Sequence, residues 1–128
     1  MRRIAMAIAV VAVLVAVGAG AAFAAKGGAV IQCTKIPCYG SGSWDHIFER
    51  HGNGKDDKII MRGGDDLVTA SHFGNDRDIV KGGSGNDRIY VNDGDKRDRA
   101  SGGRGGSDAC YVDARSEAGK GCGRVIVR

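Results

Sequence analysis

The chain has 128 residues, a formal net charge of +4 and 22 glycines against one Trp, three Tyr and three Phe. That is enough for one domain and excludes two full hydrophobic cores. Arg2 and Arg3 belong to a leader whose removal lowers the charge to +2, so the basic balance gives little support to a nucleic-acid partner.

The leader is residues 1–24. Arg2 and Arg3 precede the apolar run Ile4 to Ala24, and Ala22, Phe23 and Ala24 form the small-x-small pattern that a signal peptidase reads, with cleavage after Ala24 or Ala25. Retained, the same run would be long enough to span a bilayer. Cleavage leaves about 103 residues and implies secretion to the extracellular side. Residues 25–39 form an N-terminal segment and cap containing Cys33 and Cys38.

From residue 40 to 112 no window keeps a 3.6-residue apolar period without a glycine breaking it, so helix is at most a minor component. What recurs is an Asp, one residue, then an apolar residue, each time downstream of a turn containing Gly, Asn or Asp. The aligned aspartates are Asp45, Asp57, Asp66, Asp78, Asp87, Asp98 and Asp108. Successive gaps look irregular, but Asp45, Asp66, Asp87 and Asp108 are each 21 apart, and Asp57, Asp78 and Asp98 are 21 and then 20 apart. A period near 21 with two unequal halves predicts a flattened coil, each turn holding two short strands and two corners. The residues two after each Asp, Ile47, Ile59, Val68, Val80, Ile89, Ala100 and Cys110, are expected to point inward. Of the 15 carboxylates 13 are Asp, a bias suited to turns and hard-cation sites.

One copy, "GGSGNDRIY" at Gly82 to Tyr90, fits the glycine-rich nonapeptide G-G-x-G-x-D-x-U-x throughout. On that motif and the 21-residue rhythm the chain resembles small secreted members of the RTX, or hemolysin-type, calcium-binding repeat family. The resemblance implies an all-β fold, a short parallel β-roll built as a two-sheet right-handed solenoid of about three to four coils, with Ca²⁺ between successive turns. It carries over Asp87 as a carboxylate ligand and Gly82 and Ser84 as backbone oxygen donors, with Asp45, Asp66 and Asp108 equivalent on the same edge. "GSGSWD" lacks the second glycine, "GGDD" is two residues short and "GGRGGSD" one too long. The opposite edge lacks the glycine pair altogether. Asp57 and Asp78 are candidate ligands there, and whether that edge takes metal stays open. Asp98, after "GDKR", is expected to matter less for calcium than Asp87.

Ca²⁺ needs six to eight oxygens, which a short turn meets only by adding its own carbonyls to the Asp side chain. Carboxylates stacked about 4.8 Å apart repel by roughly 3 kcal/mol at an effective dielectric of 20, so the bare edge resists its own fold. Seven inward residues make a thin interior, and folding is expected to need metal, disulfides or both. The C-terminal cap, residues 113–128, contains Cys122. Four cysteines allow three pairings. The local ones, Cys33 with Cys38 and Cys110 with Cys122, are expected because they close the open ends of a solenoid.

No catalytic constellation is present: His46, His51 and His72 are scattered, no H-E-x-x-H occurs, and no Ser is paired with His and Asp. The expectation is a non-enzymatic, monomeric protein whose partner and cofactor is Ca²⁺, with no nucleic acid and a membrane only through an uncleaved leader. Arg77, Arg88, Arg97, Arg99 and Arg104 are expected in exposed ion pairs, and Trp44 as a cover over the first coil. The competing expectation is a metal-independent extracellular structural or adhesion domain.

Overall fold

The computed structural model describes residues 28–34, 36–49 and 55–128; the expected leader, its expected cleavage site and His51 lie outside the described residues. Strands β3 to β9 each start at or just after the Asp of an Asp-x-apolar triplet, and β1, β2 and β10 flank them without one: β1 (Ala29–Gln32), β2 (Cys38–Tyr39), β3 (Asp45–Phe48), β4 (Lys58–Ile60), β5 (Leu67–Thr69), β6 (Ile79–Ser84), β7 (Arg88–Tyr90), β8 (Arg99–Arg104), β9 (Ala109–Val112) and β10 (Arg124–Val127). A single 3-10 turn, Arg115–Glu117, is the helical content of the described residues. No helix among them is long and apolar enough to cross a membrane.

From β1 to β9 odd and even strands go to opposite sheets, and β10 joins the odd one beside β9. One sheet runs β1-β3-β5-β7-β9-β10, the other β2-β4-β6-β8, and every pairing is parallel. This is the expected parallel β-solenoid of about three turns. The register repeats the sequence period, with Ile47 opposite Val68, Val68 opposite Ile89 and Ile89 opposite Cys110. Because strand side chains alternate, the next residues along, Phe48, Thr69, Tyr90 and Tyr111, form an outward column. Tyr90 and Tyr111 stack there at 4.1 Å between centroids, with the Arg128 guanidinium over Tyr111.

All seven residues expected inside are fully buried. A second inner set adds to them one pleat further along the chain, the column Ala70, Val91 and Val112 in the first sheet and Met61 in the second. The solenoid also runs past the repeat copies. β1 and β2 lie before residue 40, β10 lies after residue 112, and Ala118 bridges to Ala100 in the second sheet. Trp44 is 54% exposed and lies across Gly28 ahead of β1, so it covers backbone rather than core.

Both local disulfides are present, Cys33–Cys38 and Cys110–Cys122, each with Cα atoms 5.6 Å apart. They fit an oxidising compartment. The second ties β9 in the core to the segment that leads into β10. Its closed loop is the longer, 12 residues against five, so the chain-entropy model gives about 3 kcal/mol against about 2. Replacing Cys110 and Cys122 together by Ser is therefore expected to lower the urea midpoint more than replacing Cys33 and Cys38. Equal losses would mean that both loops are already restrained in the unfolded chain.

Candidate metal centre

The core is unusual in what it buries. Among the described residues 13 hydrophobic side chains are buried, and so are ten acidic ones. Carboxylates are almost never fully buried unless something compensates their charge. Most of them lie in two rows, one at each corner of the coil.

The first row follows the glycine-rich corner. Asp45, Asp66, Asp87 and Asp108 are each at most 2% exposed. The first three backbone N–H groups each donate to the carboxylate one coil on: Asp45 to Asp66 Oδ1 at 2.7 Å, Asp66 to Asp87 Oδ1 at 2.9 Å, Asp87 to Asp108 Oδ1 at 2.8 Å. The Ala29 N–H completes the file on Asp45 Oδ1 at 3.1 Å. One oxygen of each acid thus serves the backbone, which offsets the repulsion expected between stacked charges. The other oxygen decides the site. On Asp66 and Asp87 Oδ2 is buried with no hydrogen-bond partner. On Asp45 it accepts from the Ser41 N–H at 2.6 Å and the Ser41 hydroxyl at 2.9 Å. Ser41 stands where the intact copy has its second glycine, and its hydroxyl fills the need.

The glycines shape the space beside these oxygens. A methyl on Gly82 would collide with Asp87 Oδ2 and the carbonyl oxygen of Gly102; one on Gly102 would meet Asp108 Oδ2 and the carbonyl of Gly121. Each missing side chain leaves a cradle lined by a carboxylate of its own coil and a carbonyl of the next. Gly82 therefore supplies room, while the carbonyl facing it belongs to Gly102. The Ser84 carbonyl accepts the Gly64 N–H at 2.9 Å and has one lone pair to spare.

The second row follows the glycine-poor corner. Asp57 N–H donates to Asp78 Oδ1 at 2.8 Å, Asp78 N–H to Asp98 Oδ1 at 2.7 Å, and Asp98 N–H to Glu117 Oε1 at 3.2 Å. The separations shorten from 21 to 20 to 19 residues, and the longer glutamate arm occupies the last position. Glu117 Oε2 accepts from the Asp113 and Ala114 N–H groups, both at 2.8 Å. Again Asp78 and Asp98 each keep a buried Oδ2 without a partner, as does Asp76 with its Oδ1.

Burial is the largest influence on these groups and pushes them upward: Asp78 to about 9, Asp98 to about 8, Asp66 to about 7, Asp87 and Asp93 to about 6, with Asp76 and Glu49 also raised. Neighbouring carboxylates add to the rise, and the backbone N–H donors oppose it. Desolvation thus outranks the stacking repulsion that spacing alone suggests.

Three groups of carboxylates converge, with one oxygen from each member within 4.8 Å of the others: Glu49, Asp76 and Asp78; Asp76, Asp93 and Asp98; Asp95, Asp98 and Glu117. All lie along the second row, where the sequence suggested the poorer edge. Of the candidate ligands read from sequence, Asp78 belongs to a group. Asp57 lies in the same row, and Asp45, Asp66, Asp87 and Asp108 form the first. The repeat spacing does not mark Glu49, Asp76, Asp93, Asp95 or Glu117, and Asp98, expected to matter less than Asp87, belongs to two of the groups. The available signal was the shrinking gap, which lands on Glu117 once Asp is not required. These all-oxygen groups can hold a metal ion, and their hardness suits Ca²⁺ or Mg²⁺ over soft transition metals.

Two shallow clefts open on this edge. One, about 400 Å³, is lined by Asp56, Asp76, Arg77 and Arg97; the other, about 390 Å³, includes Asp98, Glu117, Lys96 and Arg99. Arg77 reaches to Asp56 at 3.7 Å, with both side chains largely exposed, and Arg97 donates to the Asn75 carbonyl at 3.4 Å. Glu49 accepts the His72 backbone N–H and lies 3.4 Å from its imidazole. Compared with protein-family models, with curated proteins and with solved structures, the chain matches none.

Proposed function

We propose that this chain is a secreted, non-catalytic calcium-binding domain of the glycine-rich nonapeptide kind, with Ca²⁺ held between successive coils by Asp carboxylates and backbone carbonyls. The observation that carries the reading is the recurrence of one buried, unpartnered carboxylate oxygen on each inner coil, on both edges. A buried polar atom without a partner is costly, and a repeated one implies a repeated ligand. The Gly82 and Gly102 cradles support the same reading, because each sets a carbonyl against a carboxylate. The leader and the two disulfides support secretion.

Asp45 favours the second reading, a metal-independent structural or adhesion domain, since Ser41 satisfies it without an ion. Thermal melting of the oxidised chain in chelator and in calcium separates the two. With a dissociation constant of about 10⁻⁴ M, as in extracellular calcium modules, about 10 mM calcium stabilises a single site by about 2.7 kcal/mol. The midpoint is expected to rise by about 10 °C or more, and Mg²⁺ to substitute poorly because it demands a small octahedral shell. Identical melting in both conditions would overturn the calcium reading in favour of the structural one.

A further inference from the structure

The three carboxylate groups on the glycine-poor corner are not separate. Asp76 belongs to the first and second, and Asp98 to the second and third. Each group spans two neighbouring coils. Glu49 comes from the corner after β3, Asp76 and Asp78 from the corner after β5, Asp93, Asp95 and Asp98 from the corner after β7, and Glu117 from the turn after β9. We infer that this edge binds a file of divalent cations joined by shared carboxylates, with Asp76 bridging the first ion to the second and Asp98 bridging the second to the third. The inference rests on the calcium reading and extends it to a site built from side chains, at a corner without the glycine pair.

Burial and orphaned oxygens point to a ligand independently of the clustering. Asp78 is 0% exposed, and Asp76 and Asp98 are 4% exposed, yet Asp78 Oδ2, Asp76 Oδ1 and Asp98 Oδ2 have no partner. Both bridging residues are therefore among those with an oxygen to spare, and an ionised carboxylate has about four lone-pair positions to divide between two ions. Asp98 Oδ1 already accepts the Asp78 N–H at 2.7 Å, which fixes the carboxylate's orientation. The buried Asp76 follows Asn75, whose φ of 72° is a left-handed conformation that Asn tolerates better than most residues. The Asn75 N–H is held by Asp95 Oδ2 at 2.7 Å, so the residue beside one bridging acid is anchored by a member of the third group.

Charge sets the class of ion. The groups hold seven different carboxylates, which three divalent cations nearly neutralise; three monovalent ions would leave the edge strongly negative and three trivalent ions would overcharge it. The clefts reach Asp76 on one side and Asp98 with Glu117 on the other, which gives hydrated ions access to the middle and the end of the file.

Shared ligands make a prediction that independent sites do not. Calcium bound per chain is counted by calorimetric titration and by equilibrium dialysis, on the oxidised chain and on isosteric variants. Asp93→Asn and Asp95→Asn each touch a single group and are expected to lower the count by one. Asp76→Asn touches two and is expected to lower it by two. Equal losses for Asp76→Asn and Asp93→Asn would overturn the bridge. If Asp76→Asn does not fold, the two partly buried positions decide: an unchanged count in Asp93→Asn and Asp95→Asn overturns the file while leaving calcium at the glycine-rich edge intact. A parent chain that binds no calcium at all overturns the file and the proposed function together.

Discussion

With calcium removed by a chelator, the domain is expected to melt at progressively lower temperature as pH rises from about 4 to about 9, and calcium is expected to reverse that trend. Five carboxyls, the buried Asp66, Asp78, Asp87 and Asp98 and the partly buried Asp93, have folded values between about 6 and about 9 against an ordinary value of 3.8. A raised value means that the folded chain holds protons which the unfolded chain has already released. The stability they contribute is whole below pH 4 and is lost as pH climbs through the folded values. Asp87 and Asp93 lose theirs first, near pH 6, and Asp78 last, near pH 9. One unit on one group is about 1.4 kcal/mol, or about 6–11 °C in a domain of this size, and all five shifts have the same sign. Calcium needs the ionised form, so its affinity rises over the same window as protons leave. Melting curves at half-unit pH steps, with and without calcium, check both limbs. A chelated domain whose midpoint is flat from pH 5 to pH 9 would mean that these groups are ionised in the folded chain without an ion.

The coil was legible because its period is a hydrogen-bond register. Asp66, Asp87 and Asp108 recur every 21 residues since each must accept the N–H of the Asp one coil before it, so a constraint of three-dimensional geometry is written directly into spacing. The inner apolar set was legible for the same reason, as strand alternation places it two residues after each Asp. The acids of the glycine-poor corner were not. Asp76 stands two residues before its row aspartate, Asp93 five before and Asp95 three before, because each corner folds its extra residues differently. Glu49 and Glu117 were hidden by residue type. The first is held by the His72 backbone, and the second uses its longer arm to close a gap of 19 rather than 21 residues. Conversely, a complete nonapeptide drew attention to Gly82 and Ser84 as carbonyl donors, whereas parallel stacking brings the Gly102 carbonyl to the same cradle. Local formula identifies a turn, but the ligand from the next coil depends on register.

Gly94 and Gly82 resist replacement by Ala for different reasons. Gly94 has φ of 106°, where an L side chain is strained, but a methyl there would meet nothing within 4 Å. Gly94→Ala is therefore expected to cost about 1–2 kcal/mol, a purely conformational penalty. Gly82 is not among the positive-φ glycines, so its backbone accepts Ala freely. The methyl instead enters the cradle between Asp87 Oδ2 and the Gly102 carbonyl. Neither neighbour can yield cheaply, since Asp87 Oδ1 is bonded to the Asp66 N–H at 2.9 Å and Gly102 lies within β8, whose next residue pairs with Gly83. Gly82→Ala is thus expected to cost about 3 kcal/mol, the upper end of ordinary overpacking, and to abolish calcium uptake at that turn, whereas Gly94→Ala keeps it. Urea midpoints in chelator give the steric cost alone, and repeating them in calcium gives the lost binding. If Gly82→Ala were no more damaging than Gly94→Ala in chelator, the cradle would not be a rigid feature of the fold. If it bound calcium like the parent chain, the space beside Gly82 would not be where the ion sits.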